Sequence, residues 1–364
     1  MPRVIVRILH PSPAPDAGPL ERLLAEARQL NGERHVAGFR ATGAEDVSMT
    51  GSPPDDTPFA DRLRTLIGEA AKAKAGLVVL GSGSVPAATM PDRQAFVDAA
   101  RGKSPKGATT AGHAALTNNR YSGDIVAIAT PADLAPIPDP PADNALPRWL
   151  DEVAGWAVTD LRAQWRLQLD LDSPLDVELI RPGKLPVAEA TTLRARLAAV
   201  ATVMADPRAE LMVAGRTSAG TLRWLETDTA CRVRALVEER GLRASSRLAQ
   251  GGEAPARARP PRSVLGLLLD RDGPDAFGEI LATLGDAAIL DTRVLLAHRL
   301  SVDESAWPTA EDRFASDLLL ADRIVDPWLR SLTAAASGAS IPVVLGGHTL
   351  VGPGVRLIGQ NTRR

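Results

Sequence analysis

Strand-like and helix-like segments alternate along most of this 364-residue chain, and that alternation limits the possible folds more than any other feature. A short apolar run bounded by glycine, LVVL at 77–80, is typical of a buried strand. The segment PFADRLRTLIGEAA at 58–71 has the three- and four-residue apolar spacing of an amphipathic helix. Such alternation predicts a mostly parallel sheet covered by helices, and therefore an α/β protein.

The length of the chain favours two domains, because one domain usually contains roughly 100 to 200 residues. The segment RPGKLP suggests a boundary near residue 182. We therefore expect a first domain over 1–182 and a second α/β domain over 183–364, with a flexible linker near 249–262.

Several segments have patterns that predict one type of element. RLQLDLD at 166–172 predicts a strand, followed by a helix with Ser173 as N-cap and Pro174 at its first position. The segment 218–241 predicts a single helix. Three apolar segments predict further strands: SVLGLLLD, AAILDTRVLLAHR and IPVVLGG, at 263–270, 287–299 and 341–347.

The charge balance argues against two classes of partner. The net charge is -2, from 42 basic and 44 acidic residues that are interleaved along the chain, which does not favour nucleic acid or an anionic membrane. Aromatic residues make up only 3%, too few for a base-stacking surface.

The single cysteine, Cys231, excludes an internal disulfide framework. No apolar run reaches the ~18 residues of a membrane span, so we expect a cytoplasmic protein.

Three short segments, taken in order, resemble a known superfamily. They are FADRLRTLIGEAAKAKAGLVVLGSGSVP, ALTNNRYSGDIVAIA and LQLDLDSPLDVEL. Over about residues 59–180 the chain resembles the nucleotidyltransferase and nucleotide-diphospho-sugar transferase superfamily, with a glycosyltransferase-A-like fold. It is most similar there to molybdenum-cofactor and 2-phospholactate guanylyltransferases. The resemblance implies a three-layer domain with a mixed, mostly parallel sheet, and a nucleotide or nucleotide-sugar as partner.

The resemblance also implies a divalent metal, Mg²⁺ or Mn²⁺, because a hard cation bound by carboxylates neutralises the phosphates of such a ligand. It places Asp170 and Asp172 at that site, as catalytic residues and metal ligands. Alternate side chains of a strand share a face, so the predicted strand would let these two carboxylates share an ion. The alternative is structural, since acidic residues at a strand end and in a first helical turn, including Asp176, favour the helix dipole.

Two departures from the superfamily pattern keep other functions open. Gly83 stands in GSGSVP where the superfamily has a metal-binding aspartate, and ILHPSPAPDAGPLERL stands in place of its glycine-rich opening loop. One alternative is therefore a catalytically inactive member that acts as a binding or assembly module. Another is an enzyme whose site lies in the C-terminal domain, around Arg216, Arg293 and Glu311.

Five polar residues are candidate substrate ligands. Asn118, Asn119 and Arg120 precede a buried strand, where α/β proteins gather ligands, although two asparagines also suit a turn. Arg148 offers a bidentate fork to a phosphate, and Arg216 lies between a strand and a helix N-terminus, where helix capping is the alternative. Six tryptophans and an arginine-rich surface would suit a homodimer interface.

Overall fold

The chain was analysed in a computed structural model that describes residues 2–52, 57, 59–103, 113–134, 144–181, 184–240 and 261–360. These residues fall into two units. The first contains residues 2–16 and 25–170, and the second contains residues 17–24, 171–240 and 261–360. The chain thus changes unit between Asp170 and Leu171. The predicted boundary at residue 182 and most of the predicted linker, 249–260, lie outside the described residues.

A six-stranded sheet with the order β2-β1-β3-β5-β4-β6 forms the centre of the first unit. Strand β1 pairs in parallel with β2 and β3, β6 pairs in parallel with β4, and β5 runs antiparallel to β3 and β4. The predicted α/β class with a mixed, mostly parallel sheet is confirmed at this level. The strands are β1 Arg3–Pro11, β2 Asp46–Ser52, β3 Ala75–Gly81, β4 Ala114–Thr117, β5 Ile125–Ile128 and β6 Ala157–Asp160.

Helices cover both faces of this sheet, because β1 and β3 are apolar on both sides. On one face, Val6 of β1 packs in a core that includes Phe39 and Phe96. On the other face, Ile5 and the neighbouring residues of β3 pack in a core that includes Leu63 and Trp149. The helices that supply these residues are α1 Pro19–Ala41, α2 Phe59–Lys72, α3 Met90–Ala100 and α4 Leu146–Glu152.

The second unit contains a four-stranded, fully parallel sheet with the order β10-β9-β7-β8. Its strands are β7 Glu210–Gly215, β8 Arg232–Val237, β9 Ala287–Asp291 and β10 Val343–Gly346. The α/β class predicted for the second half is therefore confirmed. The α-helices are α5 Pro174–Ile180, α6 Val187–Ala205, α7 Ala219–Asp228, α8 Val264–Asp272, α9 Phe277–Leu284, α10 Thr292–Leu300, α11 Ala310–Asp317, α12 Pro327–Gly338 and α13 Val355–Gln360.

The predicted strand over 166–172 is wrong. A 3₁₀ turn spans Trp165–Gln168, and Asp170 forms only an isolated bridge with Ser84. Leu167, Leu169 and Leu171 are all buried, so the alternating pattern reflects three anchored leucines in an irregular segment and not a sheet ladder. The helix that follows begins as predicted, with Ser173 as N-cap and Pro174 at its first position.

Three predictions in the second half need correction, two of them because short apolar runs do not distinguish a strand from a buried helix. SVLGLLLD forms α8, and the Ser263 side chain caps it by accepting from the N–H of Gly266. AAILDTRVLLAHR splits into β9 and α10, with Asp291 as the N-cap of the helix. The predicted helix over 218–241 ends at Asp228, and the buried Cys231 leads into β8.

In the described part of the chain, no helix combines the length and the apolar composition that crossing a membrane requires.

Candidate functional site

The carboxyl ends of β1 and β3 mark the topological switch point of the first sheet. From β1 the chain proceeds to β2 on one side and then to β3 on the other. Ligands of open α/β sheets bind in the crevice at such a point. A pocket of about 270 Å³ lies here. Its wall is formed by Leu9, Pro11, Arg28, Val79, Leu80, Gly81, Ser82, Gly83, Ser84, Gly123, Asp124, Val126, Asn144, Leu146 and Asp170.

Two buried side chains of α1 hold the turn that follows β3. Asn31 Nδ2 donates to the carbonyl oxygens of Ser82 and Ser84, at 2.8 and 3.2 Å. His35 Nε2 lies 2.9 Å from the Ser84 oxygen, and burial lowers the pKa of His35 to about 4, so the ring is neutral at pH 7. Because a trans peptide directs its N–H opposite to its C=O, the Gly83 N–H points away from Asn31. Gly83 itself lines the pocket.

Gly83 also allows a close approach of two charged side chains. A Cβ atom at this position would lie 3.1 Å from Arg28 Nε and 3.2 Å from Asp170 Oδ1. Asp170 is held next to the turn by its backbone bridge to Ser84. The carboxylate of Asp170 therefore lies beside the turn in which the resemblance implies an aspartate, and the absence of a side chain at Gly83 leaves room for it.

A second polar pair lies against the same turn. His10 Nδ1 is 2.9 Å from Ser82 Oγ, and both residues are buried. Burial, with a smaller effect of the Arg28 charge, lowers the pKa of His10. His10 is therefore neutral at pH 7 and can exchange a hydrogen bond with a hydroxyl in the pocket wall.

Asn118, a predicted substrate ligand, is fully buried and engaged within the protein. Its Nδ2 donates to Asp124 Oδ2 at 2.8 Å and to the Leu167 oxygen at 2.9 Å, while its Oδ1 accepts from the N–H of Asp124 at 2.9 Å. The structure thus gives Asn118 the task of positioning Asp124, which lines the pocket. Asn119 Oδ1 accepts from the N–H of Tyr121 at 3.0 Å, closing a local turn.

The two predicted arginine ligands of the first unit form ion pairs close to this loop. Arg120 pairs with Asp151. Arg148 pairs with Glu152 at 3.0 Å, and its guanidinium also lies 5.6 Å from the centre of the Tyr121 ring. The Arg120–Asp151 pair and the Arg148–Tyr121 contact attach the loop between β4 and Asp124 to α4, and neither arginine lines the pocket as the described residues form it.

The remaining predicted site residues, Asp172 and Arg216, belong to the second unit, whereas Asp170 belongs to the first. The segment that contains the two aspartates is not a strand, so the two carboxylates do not share a strand face. Asp172 Oδ2 lies 3.5 Å from His348 Nδ1, and Arg216 pairs with Asp291 at 2.6 Å. Within the described ranges, no three His, Cys, Asp or Glu side chains are grouped so that they could hold a metal ion.

Glu311, proposed above for a site in the second domain, has a structural role. Its Oε2 accepts from the N–H groups of Leu20 and Glu21, at 2.9 and 3.3 Å, and so caps the first turn of α1. Its Oε1 accepts from Arg323 at 3.1 Å.

The site also includes four residues that were not predicted from the sequence: Arg28, His10, Ser82 and Asp124. Of these, Asp124 carried a signal, because it follows a glycine and directly precedes the apolar run IVAIA at 125–129. The other three gave none, since their positions depend on how α1 packs against the ends of β1 and β3. No protein-family model and no curated protein matched the chain in sequence comparisons.

Proposed function

We propose that the first unit binds a nucleotide or a nucleotide-sugar together with a divalent metal, as a divergent nucleotidyltransferase-like or glycosyltransferase-like protein. One observation carries this proposal. Each of the three segments on which the family resemblance rests contributes to the wall of a single pocket. The first contributes Gly83, the second Asp124 and the third Asp170. Their convergence at a topological switch point supports a shared role in ligand binding, because ligands of α/β sheets bind at such points.

We infer a nucleotide-diphospho-sugar transferase-like architecture for the first unit. The support is the mixed sheet with helices on both faces, the order of the three segments along the chain, and their convergence at the carboxyl edge of β1 and β3.

The charges of the pocket suit a phosphate bound through a metal. Arg28 is a donor for phosphate oxygens. Asp124 and Asp170 are the carboxylates of the pocket wall. Mg²⁺ is commonly held by one or two carboxylates, with substrate phosphates and water completing its shell, so this donor set fits the ion. When bound, the ion would neutralise charge on the phosphates. The protein's own residues would bind and orient the ligand: Asn118 holds Asp124, and Asn31 and His35 hold the turn.

Isothermal titration calorimetry tests the proposal. The purified full chain is titrated with nucleoside triphosphates and nucleotide-sugars, each with and without Mg²⁺ or Mn²⁺. We expect binding of one nucleotide class that tightens at least tenfold with the metal. Asp170→Asn keeps the size of the side chain and removes its charge, and it should abolish the metal-dependent part, whereas Arg28→Gln should weaken binding with and without metal.

Asp61→Asn is the matched control, because the Asp61 side chain is 51% exposed and pairs only locally with Arg64 on α2. It should bind as the wild type does. Absence of binding at millimolar ligand, or unchanged metal dependence in a folded Asp170→Asn variant, would refute the assignment. Binding without any turnover would favour the inactive binding module over the transferase.

A further inference from the structure

The second sheet has a switch point of its own, between β7 and β9, because the chain proceeds from β7 to β8 on one side and then to β9 on the other. Arg216 directly follows β7, and Asp291 ends β9. Gly215 lets the two strand ends come together: its φ is +127°, and a Cβ atom on it would lie 2.3 Å from Asp291 Cβ. This edge of the second unit therefore brings an arginine and a buried aspartate to the position where ligands bind in parallel sheets.

Arg216 is fixed on one side and has further donors on the other. Its Nε and Nη2 donate to the two carboxylate oxygens of Asp291, at 2.6 and 3.1 Å, and the Asp291 side chain is fully buried. A guanidinium has five N–H donors, so three remain beyond this pair. The Arg216 side chain is 18% exposed. A ligand with acceptor oxygens can therefore reach an arginine whose orientation is already set.

A second buried ion pair neighbours the first. Arg293, at the start of α10, donates to both carboxylate oxygens of Asp317 and to the Gly346 oxygen at the end of β10. Asp317 is fully buried. Each arginine is thus paired with a carboxylate. The Arg216–Asp291 ion pair links the ends of β7 and β9, in addition to the backbone hydrogen bonds between these strands.

Two buried polar atoms of the second unit have no hydrogen-bond partner in the part of the chain that the structure describes. Asp176, on α5, is 2% exposed, and its Oδ2 accepts from the N–H groups of Asp172 and Ser173 at 3.0 and 2.7 Å. Among the described residues, Asp176 Oδ1 has no hydrogen-bond partner. The same holds for the hydroxyl of Thr349, which is 1% exposed and follows β10. Buried polar atoms are nearly always satisfied, so these two atoms require a further partner, which a ligand or an ordered water molecule would supply.

The charge of Asp176 depends on its surroundings. Burial, and then the carboxylates of Asp172 and Asp317, raise its pKa from 3.8 to about 8. At pH 7 it therefore carries a proton. The Arg293 guanidinium on α10 lies close enough to Asp176 for their charges to interact, while His348 lies 3.5 Å from Asp172 and close to the Arg216 charge.

With that proton in place, the described groups around the strand ends include four carboxylates and four guanidiniums, so no net negative charge repels an anion. The carboxylates are those of Asp172, Asp291, Asp317 and Glu304, and the guanidiniums are those of Arg216, Arg293, Arg313 and Arg240. Ionisation of Asp176 would add one negative charge to this balance.

We propose that the second unit binds a phosphate or phosphoryl group at this edge, on the outward donors of Arg216, with His348 beside it. The proton of Asp176 keeps the surroundings of the bound group neutral. The site lies in the second unit and does not depend on the nucleotide pocket of the first. A phosphate ester and free phosphate share this chemistry, and both belong in the test.

The experiment is a calorimetric titration of the full chain with inorganic phosphate, with sulfate and with glycerol 3-phosphate. We expect millimolar or tighter binding that falls at least tenfold in Arg216→Gln. Arg208→Gln is the matched control, since that side chain is 90% exposed before the amino end of β7, and it should bind as the wild type does. Binding must also survive in Arg28→Gln, which alters only the pocket of the first unit. A tighter ester identifies a phosphorylated small molecule as the ligand, and equal binding identifies free phosphate.

Two further variants keep the test decisive if Arg216→Gln fails to fold. His348→Ala, at a half-exposed position, should weaken binding about threefold or more. Sulfate keeps its charge between pH 6.5 and 9, so its binding to the wild type should weaken about tenfold over that range, while Asp176→Asn should remove this pH dependence. Absence of binding at 20 mM anion, equal binding by all variants, or the same pH dependence in Asp176→Asn would overturn the proposal.

Discussion

Replacing Asp176 by asparagine should stabilise the protein at neutral pH, although it alters a helix cap. In the folded protein the pKa of Asp176 is raised to about 8, chiefly by burial. In the unfolded chain the carboxyl returns to about 3.8, so unfolding releases its proton at any pH between these values. An acid of this kind makes stability fall as the pH rises from about 4 to about 8.

The size of the effect follows from the pKa difference. Each unit corresponds to about 1.36 kcal/mol, so between pH 3.8 and pH 7 the wild type loses roughly 4 kcal/mol. Asparagine cannot ionise, and its carbonyl can still accept from Asp172 and Ser173. Weaker cap bonds should cost about 1 to 2 kcal/mol. The expected net gain at pH 7 is therefore roughly 2 to 3 kcal/mol, changing to a loss of about 1 kcal/mol near pH 4.

Urea unfolding at pH 4.5 and pH 7, followed by tryptophan fluorescence, measures this difference. The matched control is Asp326→Asn, which alters the N-cap that accepts from the Leu329 N–H at 2.7 Å. The control should change stability by less than about 0.5 kcal/mol at both pH values. An Asp176→Asn variant that is destabilised equally at pH 4.5 and pH 7 would refute the reasoning, because Asp176 would then be an ionised cap.

Four other substitutions test the first unit. Burial lowers the pKa of His35 to about 4 in the folded protein, whereas the unfolded chain binds a proton at this residue near pH 6.5. The wild type should therefore lose up to roughly 3 kcal/mol of stability between pH 6.5 and pH 4. Urea titrations at these two pH values should show a smaller loss in His35→Gln. Gly76→Ala should cost about 3 kcal/mol or more, since its Cβ would lie 1.9 Å from the Ala100 oxygen. Gly68→Ala on α2, where a Cβ atom would meet open space, should instead stabilise the protein by roughly 0.5 to 1 kcal/mol. Equal melting temperatures of the Gly76→Ala and Gly68→Ala variants would contradict both expectations. Asn118→Ala should cost about 2 to 4 kcal/mol by removing the hydrogen bonds to Asp124 and to the Leu167 carbonyl, and unchanged stability would show that the loop is held by other contacts.

Local patterns were sufficient for much of the fold. β1 and β3 are apolar on both faces and bounded by turn residues, so their identity as buried parallel strands follows from composition. The cap formed by Ser173 and Pro174 was predictable for the same reason, because capping depends on neighbours in the sequence. Both signals act over fewer than about ten residues, which is the range in which sequence patterns are informative.

The wrong predictions share a physical cause. The apolar run of SVLGLLLD is compatible with a buried strand or a buried helix, and tertiary packing decides between them. In RLQLDLD three leucines alternate with polar residues as in a strand, but each is buried in an irregular segment, so a period of two does not require a sheet. Periodicity reports burial, and burial does not specify the backbone hydrogen bonds.

The candidate sites were less predictable than the fold. Asp170 stands in a recognisable segment, but its closeness to Gly83 and Arg28 depends on three separate segments of the fold. Arg216 and Asp291 are 75 residues apart, and Arg293 and Asp317 are 24 apart, so no local pattern pairs them. Residues that meet at the carboxyl edge of a parallel sheet become identifiable only when the strand order is known.

Hydrogen–deuterium exchange with nucleotide and Mg²⁺ is the most direct test of the proposed nucleotide pocket. We predict that the nucleotide class with the tightest metal-dependent binding protects peptides that contain the turn Gly81–Ser84 and the loop that includes Asp124, and that Asp170→Asn abolishes this protection. Protection confined to peptides around Arg216 and His348, or no protection with a bound nucleotide, would contradict the account and move the nucleotide site to the second unit or elsewhere.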